Sequence, residues 1–137
     1  MELRTSETKR IMIIYNDLDI LSLLHDCLKL DGYDTIIAVD EDETINILGE
    51  TTPDMVIMDT VTADAHSLHI LDIVKNKTNA PIVVITSDNE METLKAMYEH
   101  GADDFIHKPF SVRVFLARVR AVLRRCQQHD KKVLAVV

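Results

Sequence analysis

The stretch IMIIYNDLDI, residues 11–20, contains the transition that decides the fold, because four apolar residues end at Ile14 and a helical pattern begins at Leu18. An apolar run of this kind is typical of a strand that is covered on both faces. The corner between the two elements carries one tyrosine, one asparagine and one aspartate. The stretch therefore predicts a β–α unit whose connection holds a single carboxylate.

The same alternation recurs four more times along the chain. The expected strands are 10–15, 33–39, 53–59, 81–87 and 104–108, and the expected helices are 18–30, 41–50, 67–76, 89–100 and 112–127, the last capped by Ser111. Five β–α units with strands this apolar predict an α/β fold. We expect a doubly wound, five-stranded parallel sheet flanked by five helices, as in flavodoxin-like proteins.

Length and composition fit one domain. The 137 residues are 47% hydrophobic and 28% charged, which is ordinary globular composition. We expect the domain to span residues 9–127. Residues 1–8 should be a loosely ordered N-terminus, and residues 128–137 a linker-like tail, either the start of a further domain or a loosely ordered end.

Charge, cysteine spacing and the length of the apolar runs exclude several classes of protein. A formal net charge of -8 argues against nucleic-acid binding by the chain as a whole, although eight of the fifteen Lys and Arg lie from Lys108 onward. Cys27 and Cys126 lack metal-type spacing and indicate reduced thiols. No apolar run has the length of a signal-peptide core or a membrane span. We therefore expect a cytoplasmic protein without a membrane partner.

Polar residues stand at the carboxyl ends of three predicted strands, where ligands gather in an open parallel sheet. They are Asp59, Thr86 and Lys108. A carboxylate in such a crevice could attack phosphorus and form an acyl phosphate, while the hydroxyl and the ammonium meet the phosphoryl oxygens. The set predicts self-catalysed phosphoryl acceptance at most, rather than an enzyme.

These segments resemble the receiver domain of two-component response regulators. PDMVIMD (53–59) matches the phosphoacceptor strand, PIVVITS (81–87) the Thr/Ser strand, and GADDFIHKPF (101–110) the Lys-Pro strand. With LARVRAVLRR (116–125), the last is similar to the OmpR/PhoB-type subfamily, in which a receiver precedes a winged-helix DNA-binding domain. The likeness covers about residues 9–125.

The resemblance implies a role for each matched residue. Asp59 would be the phosphoacceptor, Thr86 and Lys108 would sense the phosphoryl group, and Phe105 would change rotamer with the state. The Lys108–Pro109 bond would be cis. The resemblance also implies a histidine kinase as partner, a homodimer that regulates transcription, and DNA contact only through an output domain outside this chain.

Charged residues near the fifth strand and fifth helix form a second candidate surface. They include Asp103, Asp104, Arg118 and Arg120. In the similar subfamily, the face made by helix 4, strand 5 and helix 5 forms a two-fold dimer, in which each charge pair occurs twice. The alternative is a solvated, salt-bridged surface that contributes little.

The corner after the first strand departs from the family pattern. The family places two acidic residues there, which bind Mg²⁺ together with the phosphoacceptor, whereas this sequence has Tyr15 and Asn16. Asp59, the Asn16 amide oxygen and the Val61 carbonyl could still form a weak, degenerate site. Asp17 either enters the pocket by a register slip or caps the first helix together with Asn16. We expect Mg²⁺ binding to be weak or absent.

Three functions compete. The chain is a fully phosphorylatable receiver, an atypical receiver that dimerises with little or no phosphorylation at Asp59, or an enzyme or flavin protein of the same shape. The third would need a Gly- or Ser/Thr-rich loop after the first strand, and YNDLDI has none. Because the acidic corner is altered, the sequence favours the atypical receiver.

Overall fold

The computed structural model describes residues 8–15, 17–60 and 64–136, with the backbone alone for residues 127–136. Within these residues, five strands alternate with five helices. In chain order they are β1 (Arg10–Ile14), α1 (Leu18–Leu30), β2 (Asp34–Ala38), α2 (Glu41–Glu50), β3 (Met55–Asp59), α3 (Ala65–Lys77), β4 (Ile82–Thr86), α4 (Met91–Glu99), β5 (Asp104–His107) and α5 (Val112–Val136). Each element falls on a predicted one, within two residues at each end except at the end of α5.

The five strands form one parallel sheet with the order β2-β1-β3-β4-β5. β3 and β4 lie in its interior, and every residue of both strands is buried. This explains why the first four residues of each strand are all apolar rather than alternating. The predicted doubly wound α/β fold is confirmed.

Helices cover both faces of the sheet. On one face, Leu28 of α1 and Phe115 of α5 belong to one buried apolar cluster. On the other face, Leu48 of α2, Leu71 of α3 and Met97 of α4 belong to a second cluster. The sheet therefore separates two cores.

Side-chain caps begin four of the helices. Asp17, Asp40 and Asp64 each accept a hydrogen bond from a backbone N–H in the first turn of α1, α2 and α3. Ser111 Oγ accepts one from the Val114 N–H at 3.1 Å, as predicted for α5. These bonds satisfy N–H groups that have no partner inside the helix.

Glycine ends two helices. Gly32 follows α1 with φ of 93°, and Gly101 follows α4 with φ of 116°, a backbone region that favours glycine. Gly101 also lies under the Lys75 side chain, and a Cβ at this position would stand 2.9 Å from Lys75 Cδ. Position 101 therefore favours glycine through its backbone conformation, and a larger residue would also have to displace the Lys75 side chain.

Histidine–carboxylate contacts join the three helices on one face of the sheet. His69 Nε2 of α3 lies 2.8 Å from Glu41 Oε1 of α2. His100 Nδ1, at the C-terminal cap of α4, lies 2.7 Å from Asp72 Oδ1 of α3. Both pairs are partly exposed, so they orient neighbouring helices more than they stabilise the core.

The last helix is longer than the sequence predicts. The expected end was about Gln127, whereas α5 continues to Val136. The segment QQHDKKVLAV (127–136) has no glycine or proline and is rich in residues that favour helix, so the polar composition that suggested a linker is compatible with a further helical stretch. No helix in the described part of the chain has the length and hydropathy needed to span a membrane.

Candidate functional site at the carboxyl edge of the sheet

Asp59 is the last residue of β3, and its side chain is fully buried. It follows four buried apolar residues, so the strand brings a carboxylate to the boundary of the core. A charged group in such a position must be paired or hydrogen-bonded to be tolerated. The contacts of its two oxygens therefore decide what the site can do.

Lys108 is the ionic partner of Asp59. Its Nζ lies 2.5 Å from Asp59 Oδ1, and 16% of the Lys108 side chain is exposed. The Lys108 N–H donates to the Thr86 carbonyl at 2.9 Å, which ties the residue to the end of β4. The bond from Lys108 to Pro109 is cis. The predicted convergence of Asp59 and Lys108 is confirmed, as is the cis bond.

The second oxygen of Asp59 is bound by the corner that follows β1. The Asp17 N–H donates to Asp59 Oδ2 at 3.2 Å. The Asp17 carboxylate accepts a bond from the Asp19 N–H at 2.9 Å instead of entering the crevice, and it is exposed. Asp17 is therefore the predicted helix cap, and the proposed register slip into the pocket is wrong.

Of the other corner residues, Tyr15 lies within the described part of the chain. It is partly buried and packs at the end of β1 against the apolar cluster shared by α1 and α5. Asn16 and Val61, the two remaining candidates for a metal site, lie outside the described residues. Among the described residues, no group of three or more His, Cys, Asp or Glu is placed to hold a metal ion.

Thr86 ends β4, between the strands that carry Asp59 and Lys108. Asp59 is in register with Ile85, and Thr86 with His107, so the ends of β3, β4 and β5 lie side by side. The Thr86 side chain is buried, and its Oγ1 accepts a hydrogen bond from the Asp88 N–H at 3.1 Å. This bond orients the hydroxyl at the edge of the same crevice.

A buried hydroxyl pair joins the end of β3 to the start of α3, and sequence reasoning did not identify it. Thr60 Oγ1 and Ser67 Oγ lie 2.9 Å apart, and both residues are buried. Ser67 also donates its N–H to Asp64 Oδ1 at 2.8 Å, and hydrogen bonds from Ser67 lower the pKa of Asp64. These polar contacts therefore join the residue after Asp59 to the first turn of α3.

Phe105 lies on β5 within the second apolar cluster, and 6% of the residue is exposed. Its ring meets the Tyr98 ring of α4 at a centroid distance of 4.6 Å and an interplanar angle of 86°, which is an edge-to-face contact. The predicted role of Phe105 as a residue that changes rotamer stays a prediction. Tyr98 was not singled out from the sequence, because an aromatic residue on a half-exposed helix face carries no distinctive signal.

The charged residues predicted for a dimer face are only partly together. Arg118 Nη1 binds both Asp104 oxygens, at 3.2 and 3.1 Å. Arg120 instead binds Asp31 at the end of α1, at 2.6 and 3.0 Å, and this contact raises the pKa of Arg120. Asp103 Oδ2 accepts the Ile82 N–H at 2.8 Å. The structure therefore brings Asp104 and Arg118 together, while Asp103 and Arg120 bond to other parts of the chain.

Comparisons with known proteins agree with this geometry. Residues 11–120 match the response regulator receiver domain. A two-component response regulator from Clostridium difficile superposes with a TM-score of 0.80 and 27% identity, over 87% of this chain and 98% of that chain. A CheY-like receiver domain protein from Methanospirillum hungatei JF-1 gives 0.79 and 22%, over 90% and 99%. NtrX from Brucella abortus, solved with ADP, gives 0.81 and 24%, over 92% of this chain and 29% of that one.

Proposed function

This chain belongs to the family of receiver domains of two-component response regulators, and we propose that it is an atypical member in which Mg²⁺-dependent phosphorylation of Asp59 is weak or absent. Receiver domains are signalling modules and generally not enzymes. The proposed role of this one is to transmit a signal by dimerisation and to control a transcriptional output.

The observation that carries the proposal is the way the protein itself binds both oxygens of Asp59. Lys108 Nζ lies 2.5 Å from Oδ1, and the Asp17 N–H lies 3.2 Å from Oδ2. A phosphoryl donor needs one carboxylate oxygen as nucleophile, and a cation needs an oxygen as ligand. Each would therefore approach a buried carboxylate whose two oxygens already have a stabilising partner within the protein.

The composition of the corner supports the same reading. Receiver domains generally bind Mg²⁺ at the acidic phosphorylation site. Here Tyr15 and Asn16 occupy the positions of the acidic pair, and the Asp17 carboxylate caps α1. In the described part of the crevice, Asp59 is the carboxylate that could serve as a metal ligand. This part of the crevice fits Mg²⁺ poorly, since the ion prefers a nearly ideal octahedron of oxygens.

The alternative is a fully phosphorylatable receiver that accepts a phosphoryl group from a histidine kinase. It is favoured by the presence of Asp59, Thr86 and Lys108 at one edge of the sheet. In that reaction an Asp59 oxygen would form the new bond to phosphorus as the bond to the donor breaks, and Lys108 would face the charge that develops.

Incubation with Mg²⁺ and a small phosphodonor, followed by intact mass measurement, separates the two functions. We expect little or no mass gain in the wild-type protein and a larger gain in Asn16→Asp, because this change returns one acidic residue to the corner. Asp59→Asn is the matched control that removes the acceptor. Rapid, stoichiometric gain of one phosphoryl group by the wild type, lost in Asp59→Asn, would favour the alternative.

Isothermal titration calorimetry with Mg²⁺ gives an independent readout of metal binding. Calorimetry is chosen because the chain has no tryptophan whose fluorescence could report the ion. We expect weak binding by the wild type and tighter binding by Asn16→Asp. Equal affinity in both proteins would show that the altered corner does not limit metal binding.

For the dimer, we propose the face made by α4, β5 and α5, as in the OmpR/PhoB-type subfamily. Asp104 and Arg118 are paired within one chain, and in a two-fold dimer each could exchange this partner for the same residue of the second copy. DNA contact would come from an output domain, and the upstream partner would be a histidine kinase.

Sedimentation of the wild type and of Arg118→Ala tests this surface. We expect the variant to dimerise more weakly, and we expect Arg124→Ala, which removes a different cation from α5, to behave like the wild type. An unchanged dimer in Arg118→Ala, or a monomeric wild type over the whole concentration range, would refute the proposed face.

A further inference from the structure

The contact between Tyr98 and Phe105 joins α4 to β5 beside the proposed dimer face. Phe105 is 6% exposed, whereas Tyr98 is 51% exposed. The half-exposed Tyr98 ring therefore contacts the buried Phe105 ring, and edge-to-face geometry is one of the preferred arrangements of an aromatic pair.

The Phe105 residue also borders an open groove at β5, which is the edge strand of the sheet. A groove of about 220 Å³ borders Phe105 and is lined by His107, Val114 and Arg118, among others. Val114 is 51% exposed at this groove. A rotation of the Phe105 side chain would exchange the buried position behind Tyr98 for a place in this groove against Val114.

We propose that Tyr98 is a positioning residue that keeps Phe105 in the buried position, so that the face made by α4, β5 and α5 holds one conformation without a phosphoryl group on Asp59. This inference rests on the proposed function, because it explains how an atypical receiver presents a dimer surface in the absence of phosphorylation.

Two contacts close to Tyr98 attach α4 to the domain and keep the Tyr98 ring beside Phe105. Met97, the preceding residue, is fully buried in the apolar cluster that contains Phe105. His100 at the cap of α4 lies 2.7 Å from Asp72 of α3. An aromatic pair contributes beyond its buried area, and its loss should raise the population of the outward Phe105 position by about 2- to 13-fold.

Nuclear magnetic resonance of the full chain, with labelled Phe rings and Val methyl groups, measures this population. Contacts between the Phe105 ring and the Val114 methyl groups report the outward position. We expect them to be weak in the wild type and stronger, by the factor above, in Tyr98→Leu. Tyr98→Phe, which keeps the ring, should behave like the wild type.

Tyr98→Met is measured in parallel, so that the inference is judged on two variants whose folding is checked by circular dichroism. Wild-type behaviour of Phe105 in both Tyr98→Leu and Tyr98→Met would overturn the inference, as would release of Phe105 in Tyr98→Phe.

A separate arm adds Mg²⁺ and phosphodonor to the wild type. If the chain gains a phosphoryl group while Phe105 stays buried, the proposed function fails and the role of Tyr98 stands. If Phe105 moves outward on phosphorylation with Tyr98 intact, the proposed function and the proposed role of Tyr98 both fail.

Discussion

Replacement of Lys108 by methionine should destabilise the domain by about 3–5 kcal/mol, the usual cost of removing one partner from a buried ion pair. Lys108 Nζ lies 2.5 Å from Asp59 Oδ1, and the Asp59 side chain has no exposed surface. At an effective dielectric constant near 20, two unit charges at this separation attract by about 7 kcal/mol. Much of this attraction is offset by the desolvation of both groups, so the loss on truncation is smaller than the attraction itself.

Urea denaturation followed by far-ultraviolet circular dichroism measures the change, because the midpoint and slope give the free energy of unfolding. Asp59→Asn removes the buried charge and should cost less, since Lys108 retains a partly exposed side chain that can reach water. The double variant should lie near Asp59→Asn, so the coupling energy should be close in size to the cost of Lys108→Met, about 3–5 kcal/mol. A loss below about 1 kcal/mol in Lys108→Met, with no coupling in the cycle, would refute the view that this pair is a buried and interdependent contact.

Further predictions concern backbone and titrating groups. Gly101→Ala should destabilise the domain by about 1–3 kcal/mol because φ at this residue is 116°. Gly49→Ala in α2, where an added Cβ meets no atom within 4 Å, should instead stabilise it by about 0.5–1 kcal/mol. Thermal melts of the two variants test the direction of each change. Burial, with a smaller contribution from Asp26, raises the pKa of the Cys27 thiol, so in a variant with the other cysteine replaced, alkylation near pH 8 should be slower than that of a small free thiol. A rate equal to that of the free thiol would contradict this. Burial also raises the pKa of Tyr33, so its phenolate should form more readily in the unfolded chain. The stability of the fold should therefore decline as the pH rises above about 10. Ultraviolet titration of tyrosinate in folded and urea-unfolded protein tests whether the pKa is higher in the folded state.

The sequence predicted the residues of the crevice better than it predicted their contacts. Asp59 and Lys108 are 49 positions apart, yet strand order in a parallel sheet is enough to place both at one edge. The bond from the Asp17 N–H to Asp59 could not be predicted, because a backbone donor has no residue type to mark it. The Asp17 cap could, since aspartate before an apolar helical pattern is a familiar start signal.

Charge pairs between residues far apart in sequence were also not predictable from the sequence. Arg120 and Asp104 are close in sequence and were assigned to one surface, but Arg120 binds Asp31, 89 positions away. The carboxylate that Arg120 binds depends on which side of α5 faces α1. The packing of Phe115 and its neighbours sets this orientation of the helix. For α5 itself, a polar composition without glycine or proline was compatible with a linker and with a helix, and the helix continues to Val136.

The fourth helix is attached to the domain by few apolar groups, and this has a consequence for its dynamics. All nine residues of α4 are described, and one of them, Met97, is buried. Opening of α4 alone exposes little apolar surface, so it should require less free energy than unfolding of the sheet. In deuterated solvent its amide hydrogens should exchange early, through partial opening, while those of β3 and β4 wait for the whole domain to unfold.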